Sequence, residues 1–367
     1  MKRISAFLLI LLCANFVYAQ EQRNSLEFSP EISLATFSDG GDKLSGTVLG
    51  GELIYHISTE GSNRPWITGL NISSIDIILN YKNNNKLSIN NEPPGKFGDS
   101  FALMSAVSVP IVKGQNTGLY FSPRIGLAYA GQTWFTNENQ FIAGHLNFAL
   151  GASLKMNSRI SDNLALSAGI DVFHYSNAAL RVPNKGINSI NADLGLIHYL
   201  NPRKTSLEKT DHAPYFESGY KTHSFDLGIN IGRRGVYKSK DGLTKTGLYA
   251  GYNYRFNQVF GLSFGVDAVY YHSIYDANRH AETYQFYATS FKRWRAGIGL
   301  GPDLWMGRLG FSFKYGYYLY YDSLLPVNTY WTANIKYQLT NWAAIQAKTY
   351  FHQAQADFVG FGVVLTR

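Results

Sequence analysis

The most informative stretch of the chain is Phe173-His174-Tyr175-Ser176-Asn177-Ala178-Ala179-Leu180-Arg181-Val182-Pro183-Asn184-Lys185-Gly186-Ile187-Asn188. A serine hydroxyl becomes a useful nucleophile when a base stands beside it, and an imidazole can be that base. His174 and Ser176 are two residues apart. In a β-strand that spacing sends both side chains off one face, within reach of each other. The base in turn needs an orienting partner on its second ring nitrogen. Pro183-Asn184-Lys185-Gly186 is a turn sequence that returns the chain antiparallel. The alternation of the returning segment then puts Asn188 on the face of His174.

The strands that must position these groups are legible from period-two alternation. From Leu166 to Ser176 one face reads Leu166, Ala168, Ile170, Val172, His174, Ser176, and the other reads Ser167, Gly169, Asp171, Phe173, Tyr175. One apolar face and one small or polar face is how a membrane barrel strand meets lipid and lumen. Such segments recur near 26–37, 46–57, 70–81, 99–111, 117–130, 144–157, 163–176 and 187–199, and again near 222–234, 244–256, 260–271, 290–301, 307–320, 327–338, 341–352 and 356–366. Turn or loop residues such as Pro93-Pro94-Gly95 and Lys113-Gly114 separate them. The expected fold is all-β: a transmembrane antiparallel barrel of about 16 strands in total, closed either as two eight-stranded barrels or as one larger one. His174 and Ser176 then interrupt a lipid-facing apolar surface, where polar groups are costly and invite a functional explanation. Aromatic pairs at segment ends, Tyr270-Tyr271, Tyr317-Tyr318 and Tyr320-Tyr321, suit interfacial girdles.

The amino terminus explains how such a chain reaches a membrane. Met1-Lys2-Arg3, an apolar run from Ala6 to Leu12, and Val17-Tyr18-Ala19 describe a secretory signal peptide over 1–19, cleaved near Ala19-Gln20. The single cysteine, Cys13, lies inside it, so disulfides and thiolate metal sites are excluded from the mature chain. The net charge of +8 drops to +6 once Lys2 and Arg3 leave, and no Lys/Arg run suggests nucleic acid. Segments 20–203 and 222–367 read as two barrel regions joined by a polar stretch at 204–221. The aromatic share is 15% and only 16% of residues are charged, yet mean hydropathy is −0.15; strands with one apolar and one polar face reconcile the two.

His-Tyr-Ser-Asn-Ala at 174–178, followed by Pro-Asn-x-Gly-Ile at 183–187, resembles the signature of the PagL-type lipid A 3-O-deacylases, outer-membrane esterases. The larger acyloxyacyl-hydrolase-like proteins of Bacteroidetes are similar too, including the closing segment from Lys348 to Leu365. The resemblance is most specific over 145–200 and extends over 26–200. It implies an eight-stranded barrel whose active site opens outward to lipid. By the same resemblance Ser176 is the nucleophile and His174 the general base. Asn177, Asn184 and the backbone amides of Ala178 and Ala179 are oxyanion-hole candidates. Arg181 and Lys185 are candidates for lipid A phosphates.

One departure matters: where the family carries a Glu two residues after the glycine, this chain has Asn188. An amide oxygen can accept from His Nδ1–H, but it supplies no charge to the imidazolium. In a Ser-His-Asp enzyme the Asp-to-Asn change costs about 10⁴ in kcat, so reduced activity is the expectation. Asp171 and Asp193 lie on the lumen face and are poor substitutes. The reading is therefore a serine esterase of the bacterial outer membrane, acting on lipid A in the outer leaflet through Ser176, His174 and Asn188. It needs no metal and no cofactor, has no nucleic-acid partner, and a homodimer is compatible with it. The rival is a non-catalytic structural or pore-forming barrel that has lost the acidic residue. His145 and His198, as strand histidines, and the scattered His212, His223, His272 and His280 have no metal-ligand spacing.

Overall fold

The computed structural model describes residues 23–38, 43–90, 92–200, 220–276, 290–324, 327–353 and 355–367. The signal-peptide segment, most of the 204–221 stretch, His212 and His280 lie outside these residues. The chain closes two barrels of eight strands each. The first runs through β1 (Ser25–Phe37), β3 (Leu49–Ser58), β4 (Ser74–Asn83), β6 (Asp99–Lys113), β7 (Thr117–Ala130), β8 (Leu146–Ser161), β9 (Leu164–Ser176) and β10 (Ile187–Tyr199), and β10 pairs back on β1. The tiny β2 (Leu44–Ser45) and β5 (Ser88–Ile89) pair with each other in the loops. The second barrel takes β11 (His223–Gly235), β12 (Gly242–Arg255), β13 (Phe260–Tyr271), β14 (Trp294–Met306), β15 (Leu309–Tyr320), β16 (Thr329–Gln338), β17 (Ala343–His352) and β18 (Gln355–Thr366) in order, with β18 closing on β11. Of the two closures open from sequence, the chain adopts the paired one.

The faces follow the alternation. In β1, Ser25, Glu27, Ser29 and Glu31 point inward while Leu26, Phe28 and Ile32 point out. An eight-stranded lumen is just wide enough for side chains to fill it. Charges placed there must be paired, because an isolated buried charge is prohibitive. In the first barrel Lys155 Nζ lies 2.9 Å from Glu27 and 3.0 Å from Asp193, Arg124 meets Glu52 at 2.5 Å, and Lys82 meets Glu31 at 2.6 Å. In the second, Lys336 pairs with Asp226 at 2.8 Å, Lys348 with Asp267, and Arg295 with Asp357 at 2.9 Å. The outer walls are apolar, which makes both barrels lipid-facing and places the chain in the outer membrane.

The two barrel ends differ. At the Ser176 end of the first barrel lie the longer connections 38–48, 84–98, 131–145 and 177–186, and at the other end the tight turns 114–116 and 162–163 alongside 59–73. Long loops mark the extracellular side. Val48, Leu87, Ile89, Phe97, Phe141 and Ile142 from these loops pack with Tyr175 and Ile187 into an apolar plug at that end. Two short helices, Pro65–Gly69 and Trp134–Asn137, sit in connections; the strand expected from 70 begins at Ser74, after the first of them, and the one expected from 46 begins at Leu49.

The aromatic pairs need one correction. Period two cannot send neighbours to the same side. Tyr271 and Tyr318 therefore point into the lumen, beside Arg295, while Tyr317 faces lipid; Tyr320, the last residue of β15, is exposed because the pairing with β14 shifts register there. Only alternate members form a girdle.

Candidate active site

β9 carries the chemistry because its phase is fixed by what it buries. Phe173 and Tyr175 point inward, 4% and 3% exposed, so His174 and Ser176 must point out. Opposite His174 on β10 stands Asn188, and opposite it on β8 stands Leu150; Phe148 faces Ser176. The connection 177–186 returns the chain so that Asn188 meets His174 side by side.

The three side chains form one hydrogen-bonded line, half-buried at the extracellular end of the outer wall. His174 Nδ1 lies 2.8 Å from Asn188 Oδ1, and His174 Nε2 lies 2.9 Å from Ser176 Oγ. The Asn188 amide nitrogen donates to the Phe37 carbonyl at 3.3 Å, which leaves its oxygen as the acceptor toward the ring. Nδ1 must then carry the proton, and the lone pair on Nε2 faces the serine hydroxyl. A neutral imidazole so arranged can take the Ser176 proton. Gly186, at φ 71°, lies against the ring: a Cβ there would stand 2.6 Å from His174 Cε1. Ser38 of the β1–β2 connection holds this turn by donating to the Gly186 carbonyl at 2.7 Å.

Residues 78–196 match the family model described as lipid A 3-O-deacylase (PagL), and residues 223–366 match that of the acyloxyacyl hydrolase C-terminal domain. The chain belongs to the PagL-type deacylase and acyloxyacyl-hydrolase family. Among solved structures it is similar to Neisserial surface protein A at 10% identity, over 48% of this chain and 96% of that one, with a TM-score of 0.33. It is similar to the outer membrane enzyme PagL at 21% identity, over 47% of this chain and 99% of that one, with a TM-score of 0.31. Acinetobacter baumannii outer membrane protein Omp33 aligns at 9% identity over 95% of this chain and 99% of that one, with a TM-score of 0.16. No curated protein matches.

Within this PagL-type chain the four oxyanion candidates take different places. The Asn177 N–H donates to Asn184 Oδ1 at 2.8 Å, and Asn177 Oδ1 accepts from the Arg181 N–H at 3.2 Å. Asn177, 2% exposed, is thus a staple of its own loop, with its side-chain nitrogen buried and unpartnered. Asn184 has its oxygen committed, which leaves its Nδ2 as the remaining side-chain donor. Ala178 and Ala179 both adopt the left-handed region, at φ 50° and 65°, and among the described residues their N–H groups have no acceptor.

Arg181 turns toward the second barrel, its guanidinium donating to the Lys240 carbonyl. The Lys185 ammonium lies 5.4 Å from the centre of the Phe141 ring. Asp171 and Asp193 are both in the lumen: Asp171 accepts from Asn191 Nδ2 at 2.9 Å, and Asp193 pairs with Lys155. Neither reaches His174. His145 precedes β8 instead of standing within a strand; its Nδ1–H donates to the Ala130 carbonyl at 2.7 Å. His198 and His223 are exposed within strands of the walls, and His272 is exposed just after β13. No group of metal-ligating side chains exists among the described residues. Phe37, Ser38 and Gly186 were missed as parts of the site. Phe37 ends β1 and Ser38 follows it, far away in sequence, and only barrel closure brings them in.

Proposed function

We propose that this protein hydrolyses a fatty-acyl ester of lipid A in the outer leaflet, with Ser176 as nucleophile, His174 as general base and Asn188 as its orienting partner. The single observation that carries the reading is the Ser176–His174–Asn188 line on a lipid-facing wall, at 2.9 and 2.8 Å. A lipid ester, unlike a soluble substrate, meets that wall directly. Leu150, Val172 and Ile170 extend below the serine as an apolar surface for the acyl chain.

Ser176 Oγ attacks the acyl carbonyl while His174 Nε2 takes its proton. The oxyanion that forms falls to the N–H groups of Ala178 and Ala179 and to Asn184 Nδ2, the donors of the loop that follows Ser176. Collapse breaks the ester bond, and the imidazolium returns its proton to the leaving sugar oxygen. Water, activated by the same base, then releases the fatty acid from Ser176. Asn188 holds the tautomer but gives the imidazolium no countercharge, so turnover falls below that of a relay with a carboxylate. Lys185 and the remaining donors of Arg181 are the groups for the lipid A phosphates. Against the pore-forming rival stand lumens crossed by ion pairs in both barrels.

The test is purified wild type and Ser176→Ala on lipopolysaccharide, read by mass spectrometry of lipid A. Wild type removes one ester-linked acyl chain and the variant removes none; equal release from both overturns the proposal.

A further inference from the structure

The loop 177–186 is not held by the first barrel alone. Beyond its far side stands the hairpin between β11 and β12 of the second barrel. The Gly235 N–H donates to the Ala179 carbonyl at 2.7 Å, and the Lys238 N–H donates to the Val182 carbonyl at 3.0 Å. Val182 and Tyr237 form a parallel bridge. Ala179, Val182 and Val236 are all buried at this seam. Gly235 comes so close that a Cβ there would lie 2.7 Å from Arg181 Cα and 2.9 Å from the Val182 nitrogen. The hairpin also reaches the connection on the loop's other flank, with Lys238 Nζ 4.2 Å from the centre of the Trp134 ring. That connection in turn grips the catalytic loop through the Lys185 N–H, which donates to the Phe141 carbonyl at 3.0 Å.

Two consecutive alanines in the left-handed region persist only where their surroundings hold them. Inside the loop, Asn177 accepts from Leu180 and Arg181. The carbonyls of Ala179 and Val182, which belong to the Ala179–Leu180 and Val182–Pro183 peptides, take their donors from the second barrel. We propose that the β11–β12 hairpin is a positioning element for catalysis: it clamps the loop whose Ala178 and Ala179 N–H groups receive the oxyanion. This gives the second barrel a role in the reaction without touching the substrate. The inference rests on the Ser176 reading of the site.

Two full-length variants test it. Gly235→Ala pushes the hairpin off the Arg181–Val182 backbone, and replacement of residues 236–241 by Asn-Gly removes the Lys238 donor while keeping a hairpin turn. Each is assayed beside wild type and Ser176→Ala on lipopolysaccharide, with rates normalised to folded barrel by heat-modifiable gel mobility. A misplacement of about 1 Å lowers rate about 10²-fold, so kcat per folded molecule drops by that order, with KM within about threefold. The pH midpoint of kcat/KM stays where it was, because neither variant touches His174 or Asn188. A purely stabilising hairpin would lower the folded fraction and leave kcat per folded molecule alone; that result, or wild-type kcat in the variant that folds, overturns the inference while the Ser176 reading stands. Acyl release that is unchanged in Ser176→Ala overturns both.

Discussion

His174, two residues before the end of β9, and His352, the last residue of β17, each stand where a strand reaches the extracellular end of its barrel. The segments that lead to them, Asn163 to His174 and Asn341 to His352, look alike in sequence. Their histidines do opposite things. His174 faces the lipid wall, its Nε2 turned to Ser176. His352 faces the lumen, its Nε2 3.0 Å from Arg295 Nη1 and 2.6 Å from the Tyr318 hydroxyl. The strands differ in phase: Ser167 is buried in β9 where Ile345, at the matching place in β17, is exposed. A slip of one residue sends every side chain to the other face. A base is useful only where its lone pair can meet substrate, and strand phase decides that.

The comparison breaks most sharply at the base itself. His174→Ala leaves Ser176 without a proton acceptor, and in a serine hydrolase loss of the base costs about 10⁶ in kcat. We expect acyl release to vanish from mass spectra of treated lipopolysaccharide while the barrel still migrates as folded. Detectable release within about tenfold of wild type would mean that the outward histidine is no more a base than the inward one.

Next in size is Gly186→Ala. The new Cβ meets His174 Cε1 at 2.6 Å, and φ of 71° strains any L side chain. The ring must turn away from Asn188 or Ser176, and we expect kcat about 10²-fold lower. Full activity would show that the ring has room its surroundings deny it.

Much of this is legible in the amino-acid sequence. The outward face of β9 and the pairing of His174 with Asn188 follow from alternation plus one turn sequence, because both are local. What sequence left hidden was set by closure. Strands of ten to sixteen residues alternate identically whether eight or sixteen of them close, so the count per barrel stayed open. Phe37 and Ser38 reach the site only because β1 seals against β10. The hairpin at 236–241 reaches it only because a second barrel stands alongside. Tyr271 and Tyr318 are a different kind of miss: their inward direction follows from period two, but the pairs were read as blocks.

Asn188→Asp sharpens the comparison in the other direction. The carboxylate stabilises the imidazolium, and we expect kcat to rise about tenfold, a part of the roughly 10⁴ that separates Asp from Asn in a full triad. The gain is partial because the amide nitrogen now donates to the Phe37 carbonyl at 3.3 Å. A second carboxylate oxygen there loses a hydrogen bond worth about 1 kcal/mol. Turnover in the variant equal to wild type would show that charge does not limit this relay.

Lumen residues set a smaller scale for activity. Lys155 is shared by Glu27, Glu52 and Asp193; Lys155→Met leaves Asp193 without its cation, while Glu52 keeps Arg124 and Glu27 keeps His56. Breaking a buried pair costs about 3–5 kcal/mol, which denaturant unfolding of the refolded barrel would read. Acyl release per folded molecule should stay within about threefold, since Lys155 lies on the face opposite to His174.

The smallest effect belongs to His352→Ala. Its removal takes from Arg295 one of several partners: Asp357 at 2.9 Å and the Tyr271 hydroxyl at 2.6 Å remain. The guanidinium therefore stays paired, and the loss amounts to one or two hydrogen bonds, about 1–2 kcal/mol. The acyl-release rate should not change measurably. A large loss of rate would mean that the second barrel's lumen communicates with the wall of the first, for which the hairpin seam at Ala179 and Val182 is the route nearest Ser176.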